Sequence, residues 1–214
     1  MRNAEPVAVD QGEGQKLSTS RKAARKREEI VHAAIQIINA KSFALATMSD
    51  IAAALDLRDA ALYYYFPSKQ TLVYACHRQS LQRFEKILGQ VDAPVEEGGE
   101  SRGGAKLRRF LHDLVVDALR DGPQIYFGDH SYLDEAQRDE IDDWGERLKA
   151  TLERFIEEGI ADRSVTPCEP KLVVQLMLGM LIWIPKWIGT TAGMTGRRLL
   201  EAIEAFCFRG LLIR

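Results

Sequence analysis

The spacing of apolar residues restricts the fold of this chain more than any other feature. Ile30, Ala33, Ala34, Ile37 and Ile38 follow the i, i+3, i+4, i+7, i+8 pattern of an amphipathic helix. The strict apolar–polar alternation of a half-buried strand occurs nowhere in the sequence. The sequence therefore predicts an all-α fold, whose first helix ends near Lys41.

Turn and capping residues divide the rest of the chain into further helices. Thr47 or Ser49 can cap a second, short helix, and Pro67 ends a third because proline cannot continue a helix. The predicted helices cover residues 20–41, 49–55, 59–66, 69–91, 105–120, 134–160, 169–189 and 195–212. Residues 1–20 are predicted to be a disordered arm, and the Pro-, Glu- and Gly-rich segment 92–104 a flexible loop.

The charges are unevenly distributed along the chain, although the net charge is only −2. Residues 16–70 contain nine Lys or Arg side chains and five Asp or Glu side chains. Residues 71–214 contain 19 basic and 23 acidic side chains. A basic amino-terminal part followed by an acidic body is typical of a protein that presents its amino-terminal part to nucleic acid.

Enzymatic function is disfavoured by the motifs that the sequence lacks. The three cysteines form no CxxC pair, and none of the four histidines belongs to an HExxH motif. Neither of the glycine-rich nucleotide-binding motifs is present. We therefore expect no metal site, no cofactor and no catalytic residue, and we predict that the chain is not an enzyme.

No segment is expected to enter a membrane. The most apolar stretch, from Leu172 to Ile184, spans 13 positions and is interrupted by Gln175 and Gly179. A membrane-spanning helix needs about 20 apolar residues. The amino terminus also lacks the apolar core of a signal peptide, so a cytoplasmic location is predicted.

Residues 47–69 have the composition of a helix-turn-helix, in which one short helix braces the DNA backbone and a second enters the major groove. The two helices must approach each other closely, and the three alanines at 52–54 are small enough to permit this. Apolar anchors for the inner face of the pair are available at Ile51, Leu55, Leu57 and Leu62.

The residues of this segment also follow the order of a known pattern. Ten positions carry it: Thr47, Ile51, Ala52, Leu62, Tyr63, Tyr65, Phe66, Ser68, Lys69 and Leu72. With these residues the chain resembles TetR-type repressors over about 50 residues that include the first helix. The resemblance implies an N-terminal three-helix DNA-binding domain over residues 21–70 and a C-terminal helical ligand-binding and dimerisation domain over residues 71–214.

The resemblance also implies roles for individual residues at double-stranded DNA. Thr47 would cap the second helix and place its hydroxyl near a phosphate. Tyr63 and Tyr65 would direct their hydroxyls at the sugar-phosphate backbone, and Lys69 would pair with a phosphate. The candidates for base contacts are Arg58, Asp59, Ala60, Ala61 and Tyr64. The basic residues expected to add non-specific attraction are Arg21, Lys22, Arg25 and Lys26.

Two positions depart from the family pattern. Where the family usually has glycine and then serine at the corner, this chain has Asp56 and Arg58. Aspartate can adopt the left-handed conformation that the corner requires, but Arg58 replaces a good helix cap and Asp59 adds a negative charge. DNA binding is therefore expected, whereas the sequence that the protein reads is left open.

Aromatic and sulfur-containing residues of the C-terminal part suggest a pocket for a small hydrophobic effector. Some lie in the segment after residue 121, where the helical pattern is interrupted, and the others in the apolar helix 169–189, which Pro185 should bend. The predicted pocket residues are Tyr126, Phe127, His130, Met177, Met180, Trp183 and Trp187. Residues 178–187 loosely resemble family members that sense acyl-CoA thioesters or fatty acids. An aromatic or drug-like effector remains open, as does a plain hydrophobic core.

The last helix carries an apolar stripe that is expected to form a homodimer interface. Its predicted residues are Leu199, Leu200, Ile203, Phe206 and Leu211. This helix and helix 169–189 of each subunit would pack against those of the partner as a four-helix bundle. The fourth helix would couple effector binding to release of a palindromic operator. The alternative is a non-catalytic interaction scaffold, in which residues 47–69 serve only in packing.

Overall fold

The part of the chain that the structure describes forms eight helices. The computed structural model describes residues 11–93, 102–127, 130–187 and 191–208, with side chains from Arg21 onward except at 185 and 186. The helices are α1 (Gln11–Lys41), α2 (Met48–Ala54), α3 (Asp59–Tyr65), α4 (Lys69–Asp92), α5 (Gly103–Asp121), α6 (Glu135–Ala161), α7 (Pro170–Trp187) and α8 (Gly196–Phe208). The described residues contain no strand, which confirms the all-α prediction.

Several helix boundaries follow the capping residues of the sequence. α2, α4 and α6 begin directly after Thr47, Ser68 and Asp134, whose side chains accept hydrogen bonds from backbone N–H groups of the first turn. α3 ends at Tyr65, two residues before Pro67.

The predicted disordered arm is wrong for residues 11–20, because α1 begins at Gln11. Extending an existing helix adds one hydrogen bond per residue without a new nucleus, so α1 continues into a polar segment that would not start a helix alone. α5 likewise begins at Gly103, inside the predicted loop 92–104. The remaining parts of the predicted arm and loop, residues 1–10 and 94–101, lie outside the described residues. So does the end of the chain, residues 209–214.

α4 takes part in two separate hydrophobic cores. The first core lies between α1, α2, α3 and the start of α4, and includes Ile30, Leu62 and Leu72. The second lies between the remainder of α4, α5, α6 and α7, where the rings of Phe84 and Phe110 meet edge to face at 5.0 Å. The start of α4 therefore packs in the first core, and the rest of the same helix packs in the second. We call α1, α2 and α3 the head.

A half-buried arginine fixes α4 on α5. The Arg83 guanidinium donates to both carboxylate oxygens of Asp117, at 2.7 and 3.1 Å, and to Asp121 at 2.6 Å. Bidentate arginine–carboxylate pairs set geometry as well as adding energy, so the two helices are held at a defined distance at this level.

Two glycines set the separation of α5 and α6. A Cβ at Gly103 would lie 2.1 Å from the backbone nitrogen of Gly159 and 2.3 Å from the carbonyl oxygen of Phe155. The first N–H groups of α5 donate to side chains that follow α6, Gly103 to Asp162 at 2.8 Å and Gly104 to Ser164 at 2.9 Å. The start of α5 is therefore seated directly on the backbone of α6.

A third, smaller core joins α5, α7 and α8. It contains Val115, Ile184, Leu199 and Ile203, all buried within one chain. Within the described ranges, no helix has both the length and the apolar run needed to cross a bilayer.

Candidate nucleic-acid interface and effector site

The start of α2 is held by a reciprocal pair of capping bonds. The Asp50 N–H donates to the Thr47 hydroxyl oxygen and the Thr47 N–H donates to the Asp50 carboxylate, both at 3.0 Å. The expected cap at Thr47 is thus confirmed. Its side chain remains exposed, so the predicted contact with a phosphate is sterically open.

Asp50 is tied to α1 as well as to the cap. The Lys41 ammonium donates to it at 2.7 Å. That hydrogen bond, followed by those from Thr47, lowers the pKa of Asp50 to about 2. The carboxylate is therefore ionised at neutral pH, and its charge is offset by Lys41 where DNA is expected to approach.

Thr47→Ala is expected to lower the free energy of unfolding by about 1 kcal/mol, because one cap hydrogen bond is lost. Thr47→Ser keeps the hydroxyl and should retain most of the stability. Urea unfolding followed by circular dichroism measures both variants. Equal losses in the two variants would contradict a capping role.

The corner between α2 and α3 uses the conformation expected of Asp56. Its φ is +53°, in the left-handed region, and the following Leu57 N–H donates to the Ala52 carbonyl at 2.9 Å. Arg58 is the N-cap of α3 and makes no side-chain capping bond. A bond that sequence reasoning missed joins the two helices at this point, because the Ser49 hydroxyl donates to the Asp59 carboxylate at 2.6 Å.

α3 turns one face to the core and leaves the other in solvent. Leu62 is buried, whereas Arg58, Ala60, Tyr63 and Tyr64 are exposed. The exposed fraction of Tyr64 is 82%, the largest of these aromatic side chains. These residues, with half-buried Ala61, form the surface that α3 presents outward, which we call the recognition face.

Tyr65 differs from the two tyrosines before it. It is half-buried against the first core, and its ring meets that of Tyr64 edge to face. Its carbonyl accepts a hydrogen bond of 2.6 Å from Arg27, whose guanidinium lies 4.3 Å from the centre of the Phe66 ring. Arg27 therefore ties the end of α3 to α1, a structural role that its place in a basic cluster did not reveal.

Lys69 has a partner within the chain. Its ammonium donates to the Phe43 carbonyl at 2.5 Å and lies 4.1 Å from the centre of the Phe43 ring. It holds the turn between α1 and α2, which the sequence did not predict. An ammonium has three donors, so its expected phosphate contact stays a prediction.

The basic residues of α1 divide into paired and unpaired side chains. Arg25 and Lys26 share Glu29, at 3.4 and 3.1 Å. Arg21 and Lys22 are exposed and form no ion pair with any side chain that the structure describes. These two add unpaired positive charge to the amino-terminal face.

Both parts of the chain match families of bacterial regulators. Residues 30–76 match "Bacterial regulatory proteins, tetR family", and residues 100–211, more than half of the chain, match "Tetracyclin repressor-like, C-terminal domain". The chain belongs to the TetR family. It is a DNA-binding transcriptional regulator and not an enzyme, because TetR-family regulators are non-catalytic.

Solved structures share the fold of this TetR-family chain. AibR, in complex with isovaleryl coenzyme A and operator DNA, is 20% identical with a TM-score of 0.67, over 86% of this chain and 98% of that chain. PfmR from Thermus thermophilus is 21% identical with a TM-score of 0.66, over 86% and 99%. The ketosteroid transcriptional regulator KstR2 of Mycobacterium tuberculosis is 17% identical with a TM-score of 0.67, over 88% and 96%. No match is found among curated proteins.

Two neighbouring cavities lie in this TetR-family regulator. The inner chamber, of about 110 Å³, lies between α5, α7 and α8 and is lined mainly by aliphatic side chains: Leu114, Val115, Ala118, Leu119, Leu181, Ile184 and Leu199. The seam cavity, of about 320 Å³, lies between the head, α4 and the segment 122–132. Gln124, Tyr126 and Ile182 line both cavities.

Of the residues predicted to form an effector pocket, only Tyr126 lines these cavities. Phe127 and Met177 belong to the second core, and Met180 and Trp187 pack against the small core of α5, α7 and α8. His130 is hydrogen-bonded to Asp142 at 2.9 Å. Trp183 is exposed, as are Leu172 and Leu176 on the same helix, so its predicted place in a buried pocket is wrong.

The predicted dimer residues also divide between core and surface. Leu199 and Ile203 are buried within their own chain, so their assignment to an interface is wrong. Leu200 is half-buried, and Leu211 lies outside the described residues. Phe206 is 80% exposed. Sequence reasoning missed an exposed stripe on α7, formed by Leu172, Leu176 and Trp183, at positions i, i+4 and i+11 of one helix face.

Proposed function

We propose that this TetR-family regulator is a dimeric repressor that acts in the cytoplasm. It binds a palindromic operator through the recognition face of α3 and leaves it when a small hydrophobic effector occupies the C-terminal domain. The two sites are coupled through α4, which takes part in both cores. Couplings of this kind amount to about 1–3 kcal/mol.

The observation that carries the DNA-binding proposal is the exposure of Tyr63 and Tyr64 on α3, together with the unpaired basic side chains of α1. Adjacent exposed aromatic side chains such as these form an apolar patch, and exposed apolar patches mark interaction sites. Tyrosine hydroxyls can donate to phosphate oxygens and set the position of the duplex, and Arg21 and Lys22 add attraction that depends on salt. The AibR complex with operator DNA has the same fold.

Tyr64→Ala is expected to weaken operator binding roughly tenfold, which corresponds to about 1.4 kcal/mol. The side chain is outside the core, so thermal stability should be unchanged. The operator is first selected from random duplex fragments, and affinity is then measured by fluorescence anisotropy at several salt concentrations. The control is Val116→Ala, which removes an exposed apolar side chain from α5 rather than from the recognition face. An unchanged affinity for Tyr64→Ala would remove α3 from the interface.

The dimer proposal rests on the exposed stripe of α7 together with Phe206 of α8. An exposed apolar surface of this kind, on two neighbouring helices, is suited to a two-fold interface with a second copy. Such a dimer can place two recognition helices about 34–36 Å apart, one turn of DNA.

The effector proposal rests on the inner chamber. The described residues of its lining are almost entirely aliphatic and include no charged side chain, so a short hydrophobic group fits it and a carboxylate does not. We propose the acyl end of a short acyl-CoA thioester as the first candidate. The complex of AibR with isovaleryl coenzyme A supports this choice, whereas the relation to KstR2, a ketosteroid regulator, makes a polycyclic effector the alternative.

Ala118→Phe is expected to abolish the response to effector while operator binding persists, because the new ring fills the inner chamber. The measurement is an operator gel shift titrated with isovaleryl-CoA, longer acyl-CoA thioesters, free fatty acids and a ketosteroid. The wild-type protein should lose at least about tenfold in operator affinity with one thioester. If no thioester changes that affinity, the acyl-CoA proposal is wrong.

A further inference from the structure

The seam cavity is bounded by the DNA-binding head itself. Residues from the end of α1 and the turn after it form one wall, and residues from α4 and the segment 122–132 form the other. The six that matter here are Ile38, Phe43, Ala44, His77, Tyr126 and Tyr132. A molecule in this cavity would therefore contact both the head and the C-terminal domain.

Tyr126, which lines both the seam cavity and the inner chamber, carries a buried hydroxyl. Tyr126 is only 8% exposed, and its hydroxyl has no hydrogen-bond partner among the residues that the structure describes. Burial raises the pKa of Tyr126, so the hydroxyl keeps its proton and can donate. Buried polar groups nearly always have a partner in the protein, in water or in a ligand.

The residues around the two cavities restrict the chemistry of that ligand. Of the described residues that line them, none is Lys, Arg, Asp or Glu. The charges that act on the Tyr126 hydroxyl, those of Asp117 and Arg83, are bonded to each other. An ionised group placed here would therefore be desolvated without a free counter-charge. A neutral carbonyl or hydroxyl, attached to an apolar end, satisfies the Tyr126 hydroxyl without that penalty.

We propose that the inner chamber and the seam cavity form one effector site in two parts. The short apolar end of the effector occupies the inner chamber, and its uncharged carbonyl-bearing group lies in the seam cavity, against Tyr126 and Phe43. The proposal rests on the effector role proposed for the inner chamber. It adds that the effector touches the DNA-binding head directly, at residues of the turn that leads into α2.

The contacts of Phe43 show how such binding would reach the DNA interface. Its ring stacks on that of Tyr132, with centroids 3.3 Å apart and planes 7° from parallel. The Tyr132 hydroxyl is hydrogen-bonded to His77 at 2.9 Å, and the Phe43 carbonyl accepts from Lys69. A ligand beside this stack shifts Phe43 relative to Tyr132. Only three residues separate Phe43 from Thr47, the cap of α2.

The test uses Prodan, an uncharged naphthalene fluorophore with a short propionyl ketone, whose emission moves to shorter wavelength when it leaves water. Ala44→Phe narrows the seam cavity at an exposed position, and Ala118→Phe fills the inner chamber. Each is expected to weaken Prodan binding to the full-length protein at least tenfold. Ala161→Phe, at an exposed position at the end of α6, is the matched control and should bind as the wild type does.

Tyr126→Phe gives a test that does not depend on changes in packing. It removes the hydroxyl and keeps the ring, so Prodan binding should weaken by roughly two- to tenfold, as expected for one hydrogen bond. Its melting temperature should stay the same or rise, because a buried unpaired hydroxyl is lost. Tyr74→Phe, whose hydroxyl is bonded to Glu140 on the outside of α4 and α6, is the control. Hydrogen exchange of residues 42–47 should slow when Prodan is bound.

The outcomes distinguish the two-part site from an effector site that consists of the inner chamber alone. If Ala118→Phe abolishes Prodan binding while Ala44→Phe and Tyr126→Phe leave it unchanged, the two-part site is wrong and the inner chamber alone is the effector site. If Ala44→Phe alone weakens binding, the chamber has no part in the site and the two-part proposal also fails. If the wild-type protein does not bind Prodan, the proposal is overturned, because the probe carries every group that the site is argued to accept.

Discussion

Leu176→Asp is expected to convert the protein from a dimer to a monomer and to weaken operator binding at least about a hundredfold, because the two half-sites are then bound independently. Leu176 is 67% exposed on α7, so a carboxylate there is hydrated in the monomer and should not disturb the fold. In the proposed dimer the same carboxylate would be desolvated among the apolar side chains of the partner. Light scattering after gel filtration gives the mass, and anisotropy gives the affinity.

Leu45→Asp is the matched control for the mass measurement. Leu45 is 70% exposed but lies in the turn between α1 and α2, far along the chain from α7 and α8. This variant should remain dimeric. A dimeric Leu176→Asp protein would show that the subunits associate through another surface.

Gly103→Ala is expected to destabilise the protein by about 1–3 kcal/mol or more, the range found when extra atoms are forced into a packed core. The new methyl group would stand 2.1 Å from a backbone atom of Gly159, and backbone cannot rotate away as a side chain can. The start of α5 must therefore lift from α6, which also strains the bonds to Asp162 and Ser164. Chemical unfolding of the full-length protein measures the loss.

Gly89→Ala separates this steric effect from the intrinsic preference of alanine for helices. Gly89 lies inside α4, and a Cβ there meets no atom within 4 Å. Alanine at this position should raise stability by roughly 0.5–1 kcal/mol. If Gly103→Ala raised stability in the same way, the close seating of α5 on α6 would be incorrect.

Features that depend on neighbours in sequence could be predicted from the sequence. The cap at Thr47, the left-handed corner at Asp56 and the end of α3 before Pro67 each depend on a few consecutive residues. So does the match of ten residues to the TetR pattern, which gave both the family and the fold of the amino-terminal part.

Features that depend on packing between distant segments were not predictable in the same way. The apolar stripe of α8 could face its own chain or a partner, and the burial of Leu199 and Ile203 is decided by α5 and α7. α7 is apolar on nearly every side, which conceals that Trp183 points outward. The bond from Lys69 to Phe43 spans 26 residues, and no local pattern indicates it.

The attachment of Arg83 to Asp117 and Asp121 has a consequence for how the operator could be released. The far end of α4, at Lys69, lies about 20 Å along the helix from this attachment. If α4 pivots there, a tilt of about 5° carries the head by roughly 2 Å. In a two-fold dimer both heads move, and the gap between the recognition helices changes by up to about 4 Å, close to the rise of one base pair, about 3.4 Å. A tilt this small would change the spacing of the two heads so that it no longer matches the helical repeat of the DNA. Neither head would have to unfold.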